Sequence, residues 1–123
     1  IFPLKDNPFY TGYLLDIIKE KTQQDYELHD VYANGNTFGD QGDFHIDMDT
    51  HRARTFLYYA NNKWKPEYNG KTIFKLGEDN YHYYLPKGKD AILFRGTIPH
   101  MAEGCSRLFN GLRITVAWKL LLK

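Results

Sequence analysis

The chain has 123 residues, of which 42% are hydrophobic and 16% aromatic, and its 16 Lys and Arg residues against 15 Asp and Glu give a formal net charge of +1. This length favours a single domain, residues 1–123. The near-neutral charge excludes the electrostatic footprint expected of a nucleic-acid-binding protein, and one cysteine excludes an internal disulfide. No stretch approaches the roughly 18 apolar residues of a membrane span. We therefore expect no membrane partner and a reducing, cytoplasmic location, and the start at Ile1 rather than Met predicts a fragment of a longer chain.

The first 26 residues predict an extended lead-in followed by one helix. Pro3 and Pro8 favour extended backbone at the start, and Thr11 is a candidate helix N-cap. The apolar residues that follow at helical spacing are Tyr13, Leu14, Ile17 and Ile18. Because charged residues lie between them, the pattern predicts an amphipathic helix that covers a sheet.

From residue 27 onward, the pattern changes to short apolar and aromatic runs separated by glycine, asparagine, aspartate and proline. The predicted strands are residues 27–32, 44–48, 55–60, 71–76, 81–85, 90–94, 99–102 and 112–121. Strands at near-regular spacing, with no helical segment between them, are typical of an all-β jelly roll or sandwich. Residues 27–123 are thus expected to form a β core.

The alternating stretch at residues 44–49 contains the first chemical signature. In a strand, His45 and Asp47 point to one face, while the apolar residues between them point to the other. An imidazole beside a carboxylate supplies two members of a 2-His-1-carboxylate triad, which holds ferrous iron and leaves coordination positions open. His100, which follows Pro99 near a predicted sheet rim, is the candidate third ligand. By itself, the His-x-Asp pair is more typical of a half-exposed polar strand face.

A second signature lies in the last predicted strand. Alternation places Arg113, Thr115 and Ala117 on one face. If this face is buried, the guanidinium needs an anionic partner, because an unpaired buried charge costs several kcal/mol. A bound carboxylate is one such partner, since a planar guanidinium can grip it with two hydrogen bonds. A salt bridge to a distant acidic residue is the alternative.

In this order and spacing, these residues resemble the Fe(II)- and 2-oxoglutarate-dependent oxygenases, and among them the prolyl 4-hydroxylase-like branch. The resemblance runs from about Val31 to Leu120. It includes the runs Thr55-Phe56-Leu57-Tyr58-Tyr59-Ala60-Asn61, Gly70-x-Thr72-x-Phe74 and Pro86-x-Gly88. It implies a double-stranded β-helix, a cupin-like jelly roll, with the N-terminal helix covering it.

The resemblance also implies the residues of the site. The metal ligands that it implies for Fe(II) are His45, Asp47 and His100. The residues that it implies for 2-oxoglutarate are Tyr32 near the metal, and Arg113, Thr115 and Tyr59 at the distal carboxylate. With Arg113, the metal ligands form the expected catalytic set, and ascorbate is a candidate auxiliary reductant.

The activity implied is hydroxylation of an unactivated C–H bond with dioxygen, in a peptidyl-prolyl or other amino-acid substrate, releasing succinate and carbon dioxide. Asp47 is present where the halogenases of the superfamily have a small residue, which favours hydroxylation. Lys119 stands where the alkylated-base demethylases have a second arginine, which argues against nucleic acid.

Two alternatives remain open from the sequence. A cupin-like metalloenzyme could use the same three ligands without 2-oxoglutarate, and Arg113 would then be structural. A non-catalytic jelly-roll binding module would explain the strands and aromatic residues without any metal. Residues 34–42 and 62–70, which are rich in turn residues, are candidate lids over the site, with ordinary surface loops as the alternative.

Overall fold

The computed structural model describes all 123 residues. The strands are β1 (Phe2–Pro3), β2 (Tyr26–Asn36), β3 (Ala53–Tyr59), β4 (Thr72–Gly77), β5 (Asn80–Tyr84), β6 (Asp90–Arg95), β7 (His100–Ala102) and β8 (Arg113–Leu122). The helical segments are a π-helix (Phe9–Leu14), the α-helix α1 (Leu15–Thr22) that continues it, and a 3-10 turn (Pro66–Tyr68).

The strands form two antiparallel sheets. The larger sheet has the order β1-β2-β8-β3-β6 and the smaller one the order β5-β4-β7. From β3 to β8 the chain passes repeatedly from one sheet to the other, so strands that are neighbours in a sheet are often distant in sequence. This connectivity is typical of a jelly roll. The predicted mainly β architecture is confirmed.

β8 is the central strand of the larger sheet, with β2 on one side and β3 on the other. Its two faces are both buried, as is common for a strand covered on both sides. Arg113, Thr115 and Ala117 face a cavity between the sheets, whereas Val116 and Trp118 belong to the hydrophobic core on the opposite face. β8 therefore separates the core from the cavity.

The hydrophobic core lies between the outer face of this sheet and the helical segment. Leu15 and Ile18 of α1 are buried there. The predicted N-cap, Thr11, is wrong: it lies within the helical segment, and its hydroxyl donates to the Asn7 carbonyl at 3.2 Å. Helical structure starts earlier, at Phe9, where the Asn7 side-chain oxygen accepts the backbone N–H at 3.0 Å.

The predicted strand at residues 44–48 is also wrong. Only one isolated bridge, between His45 and His100, ties this segment to a strand. Phe44 and Ile46 remain 41% and 42% exposed. Apolar and polar residues do alternate in this segment, but the apolar side chains are not buried. Because burial of one face stabilises a strand, a regular strand is not favoured here.

Candidate metal centre and adjoining cavity

Three side chains converge at one edge of the cavity. His45, Asp47 and His100 each offer a ligand atom, and these atoms lie within 4.8 Å of one another. Paired backbone hydrogen bonds of 3.0 and 2.9 Å place His45 opposite His100. Asp47 is set by its own N–H, which donates to the Gly96 carbonyl at 2.8 Å.

Backbone carbonyls orient both imidazoles. Nδ1 of His45 lies 3.0 Å from the Asp43 carbonyl, and Nδ1 of His100 lies 2.8 Å from the Ile98 carbonyl. Because a carbonyl can only accept, each Nδ1 donates, and each Nε2 is left with a lone pair in the neutral ring. These Nε2 atoms face Oδ1 of Asp47 at 3.5 and 3.4 Å. Two imidazole nitrogens and a carboxylate oxygen this close together suit a divalent cation.

The second carboxylate oxygen of Asp47 is held separately. Thr55 donates its hydroxyl to Oδ2 at 2.5 Å, and the Lys119 ammonium lies 2.7 Å from the same atom. Burial would raise the pKa of Asp47, but the Lys119 ammonium and the Thr55 hydroxyl outweigh it and hold the pKa below its usual range. Asp47 is therefore an anion, as a carboxylate that ligates a metal must be.

Arg113 lines the same cavity, which has a volume of about 270 Å³. The residue is 3% exposed, and its Nε donates to the Gly70 carbonyl at 2.9 Å. Its Nη2 is buried without a hydrogen-bond partner. Burial lowers the pKa of Arg113, so an anion bound in the cavity would relieve both the unmet hydrogen bond and the desolvation.

The structure separates the remaining predicted site residues into those that line the cavity and one that does not. Tyr32 and Thr115 line the cavity, but Tyr59 does not. The Tyr59 hydroxyl instead shares a hydrogen bond of 2.5 Å with Oγ1 of Thr72, and its ring centroid lies 5.5 Å from Cζ of Arg113. Tyr59 thus lies beside the guanidinium but outside the cavity, whereas its hydrogen-bond partner Thr72 lines the cavity.

Sequence reasoning did not assign Thr55, Thr72 or Lys119 to the site. Thr55 and Thr72 are part of two of the three runs quoted for the resemblance, but nothing in the sequence shows that they face a cavity. Lys119 could have been found, because the alternation from Arg113 through Thr115 continues to it.

The two expected lid segments are mostly exposed, and each is tied to the rest of the protein at a few points. Residues 34–36 continue β2, and the Gly42 N–H donates to the Ala102 carbonyl at 3.1 Å. In residues 62–70, Trp64 is 8% exposed and donates from its ring nitrogen to the Asn69 carbonyl at 2.8 Å. The second segment contacts Arg113 through the Gly70 carbonyl, although none of its residues lines the cavity.

Comparison with solved structures reveals the same fold in several oxygenases. A Trichoplax adhaerens prolyl hydroxylase, solved with a hypoxia inducible factor oxygen degradation domain peptide fragment, aligns over 89% of this chain and 55% of its own, at 18% identity and a TM-score of 0.70. A Pseudomonas putida prolyl-4-hydroxylase aligns over 90% and 62%, at 20% identity and a TM-score of 0.64. A 2OG-Fe(II) oxygenase family protein from Burkholderia pseudomallei aligns over 96% and 54%, at 11% identity and a TM-score of 0.67.

The likeness rests on structure, because neither a protein-family model nor a curated protein sequence matches the chain. The chain spans between 54% and 62% of the length of these three solved structures. Their shared fold confirms the resemblance to prolyl hydroxylases at the level of architecture.

No helix of the chain combines the length and the apolar character needed to cross a membrane.

Proposed function

We propose that the protein is an Fe(II)- and 2-oxoglutarate-dependent dioxygenase. The observation that supports this most directly is a 2-His-1-carboxylate cluster whose two histidines line the same cavity as a buried arginine with an unpartnered Nη2. The first is the donor set of non-heme Fe(II) oxygenases. The second is suited to one end of a dicarboxylate.

In this proposal, iron is held by Nε2 of His45, Nε2 of His100 and Oδ1 of Asp47. Iron and 2-oxoglutarate, when bound, would supply the activation of dioxygen and the oxidation of an unactivated C–H bond, with succinate and carbon dioxide as coproducts. The backbone carbonyls beside each Nδ1 keep the imidazoles in the tautomer that ligation requires.

Arg113 is proposed to bind the distal carboxylate of 2-oxoglutarate. Its Nε bond to Gly70 fixes the plane of the guanidinium, and its Nη2 has no hydrogen-bond partner within the protein. Thr115 and Thr72, which line the same cavity, can add hydroxyl donors. Tyr59, through its hydrogen bond with Thr72, is proposed to orient that hydroxyl rather than contact the ligand.

For the prime substrate, we propose an amino-acid side chain, with a prolyl residue in a peptide first. The His45 side chain is 56% exposed, so the proposed metal centre lies at an open mouth that an extended peptide could reach. The Trichoplax adhaerens structure contains a peptide fragment, which agrees with such a substrate for that protein. Dioxygen is the co-reactant, and ascorbate is proposed only as an auxiliary reductant.

The cupin-like alternative, in which Arg113 is structural, gains less support. A structural arginine would be expected to satisfy its buried Nη2 within the protein, and this one does not. A binding module without a metal would not require three ligand atoms within 4.8 Å of one another.

The proposal is tested by adding Fe(II) and 2-oxoglutarate anaerobically. We expect a weak visible charge-transfer band that requires both components. Arg113→Ala should raise the 2-oxoglutarate concentration at half-saturation by about 100-fold or more, because a desolvated charge pair is lost. Fe(II) binding alone should be nearly unchanged, since Arg113 is not a ligand.

A folded protein that gives no band would contradict the oxygenase proposal, and a band insensitive to Arg113→Ala would favour the cupin-like alternative. Circular dichroism of the variant checks folding. Succinate release in the presence of ascorbate, measured against panels of prolyl peptides and free amino acids, then tests the substrate class.

A further inference from the structure

Two side chains on neighbouring strands meet on one oxygen of Asp47. Thr55 of β3 lies opposite Lys119 of β8 in the antiparallel register, and both contact Oδ2, at 2.5 and 2.7 Å. Lys119 is 9% exposed, and its Nζ also lies 5.5 Å from the Tyr32 ring centroid. Its ammonium is thus held in place between the carboxylate and an aromatic face.

The segment that contains Asp47 needs such a contact. It is not part of a strand, and its regular pairing is limited to the bridge between His45 and His100. Beyond this bridge, the backbone of Asp47 is held by a bond from its N–H to Gly96. These bonds position the main chain but leave the rotation of the carboxylate undetermined.

We infer that Lys119 is a positioning residue for the metal centre, and this inference rests on the proposed function. By donating to Oδ2, Lys119 and Thr55 direct Oδ1 toward the two Nε2 atoms and occupy the oxygen that could otherwise rotate toward the metal. The carboxylate is then preorganised as a ligand through a single oxygen, which keeps more coordination positions open for cosubstrate and dioxygen.

The positive charge of Lys119 should lower metal affinity, whereas its positioning role should raise it. This difference in direction makes the inference testable. An ammonium close to a divalent cation repels it, so a lysine that served only as a counter-charge would weaken metal binding. A lysine that positions the ligand strengthens metal binding despite this repulsion. Replacement therefore changes metal affinity in opposite directions under the two roles.

The test is an anaerobic titration of the apoprotein with Co(II), followed by its visible absorption. Lys119→Arg keeps charge and donors, Lys119→Gln keeps a donor without the charge, and Lys119→Met removes both. We expect Lys119→Met to raise the Co(II) dissociation constant by about 10- to 100-fold, Lys119→Gln to raise it less, and Lys119→Arg to stay close to the wild type. The Lys119→Met spectrum should also change in intensity, since cobalt absorption reports coordination number.

Lys71→Met is the matched control, because it removes another lysine whose carboxylate partner, Glu103 at 3.3 Å, lies outside the proposed site. It should leave the Co(II) dissociation constant unchanged. If Lys119→Met binds Co(II) as tightly as the wild type, or more tightly, the positioning role is overturned. If the wild type itself binds no Co(II), the proposed function fails instead.

Should Lys119→Met not fold, Lys119→Gln and Thr55→Val replace it in the test. Each weakens the hydrogen bonding to Oδ2, so each must raise the Co(II) dissociation constant. An unchanged constant in both variants overturns the inference, and urea denaturation of each apoprotein separates a loss of folding from a loss of affinity.

Discussion

Gly70 shows how one residue can determine the position of a functional side chain. Its carbonyl accepts the Nε–H of Arg113 at 2.9 Å, and its φ of +71° is a conformation that favours glycine. A Cβ at this position would lie 3.0 Å from the Trp64 ring and 3.1 Å from the Arg113 side chain. Gly70 thus permits both the turn and the close approach that orient the guanidinium.

We therefore expect Gly70→Ala to lower the free energy of unfolding by at least about 1 kcal/mol, because alanine strains a positive φ. It should also weaken 2-oxoglutarate binding by displacing Arg113. Urea denaturation and the anaerobic titration measure the two effects.

Gly12→Ala is the matched control, since this helical glycine has open space around its Cβ position. It should stabilise the protein by about 0.5–1 kcal/mol and leave the titration unchanged. Equal effects of the two substitutions would contradict the role assigned to Gly70.

At the scale of elements, β8 connects stability with the site. Its Arg113 face lines the cavity, and its opposite face includes Leu120, which is fully buried in the core. Because neighbouring residues of a strand point in opposite directions, a substitution on one face of β8 can change stability without changing ligand binding, and the reverse.

We expect Leu120→Ala to lower the free energy of unfolding by about 2–5 kcal/mol, as is usual for a buried leucine. At a temperature where the variant is folded, Co(II) and 2-oxoglutarate affinities should remain close to those of the wild type. Urea denaturation and the same titrations provide the measurement. A large loss of affinity without a loss of stability would show that the two faces of β8 are not independent.

At the scale of the whole molecule, the hydrogen bond between Tyr59 and Thr72 joins the two sheets, since Tyr59 lies in β3 and Thr72 in β4. Burial raises the pKa of Tyr59 to about 12, although the bond to Thr72 and the charge of Arg113 act in the opposite direction. Because the folded state favours the neutral phenol, this contribution to stability is complete below the unfolded pKa of about 10.

That contribution is lost as the pH rises from about 10 to about 12. We expect the free energy of unfolding to fall across this window, and to fall less in Tyr59→Phe, which has no proton to lose. Urea denaturation at several pH values measures the difference between the two proteins. Parallel curves for the wild type and Tyr59→Phe would contradict the expectation.

Local periodicity in the sequence determined which neighbouring site residues point in the same direction. The two-residue alternation correctly put His45 beside Asp47 and Arg113 beside Thr115, because side-chain direction in extended backbone depends only on neighbouring residues. The same reasoning predicted a strand at residues 44–48, which is absent, because strand formation also requires a partner and a buried face.

Tertiary structure decided which distant residues meet. The pairing of Thr55 with Lys119 on Asp47, and the turn of the Tyr59 hydroxyl toward Thr72, depend on strand order and register across long stretches of chain. No local preference encodes register, since it is set by the packing of whole sheets. The types of residue in the site could thus be predicted from the sequence, whereas the contacts that hold them in position could only come from the fold.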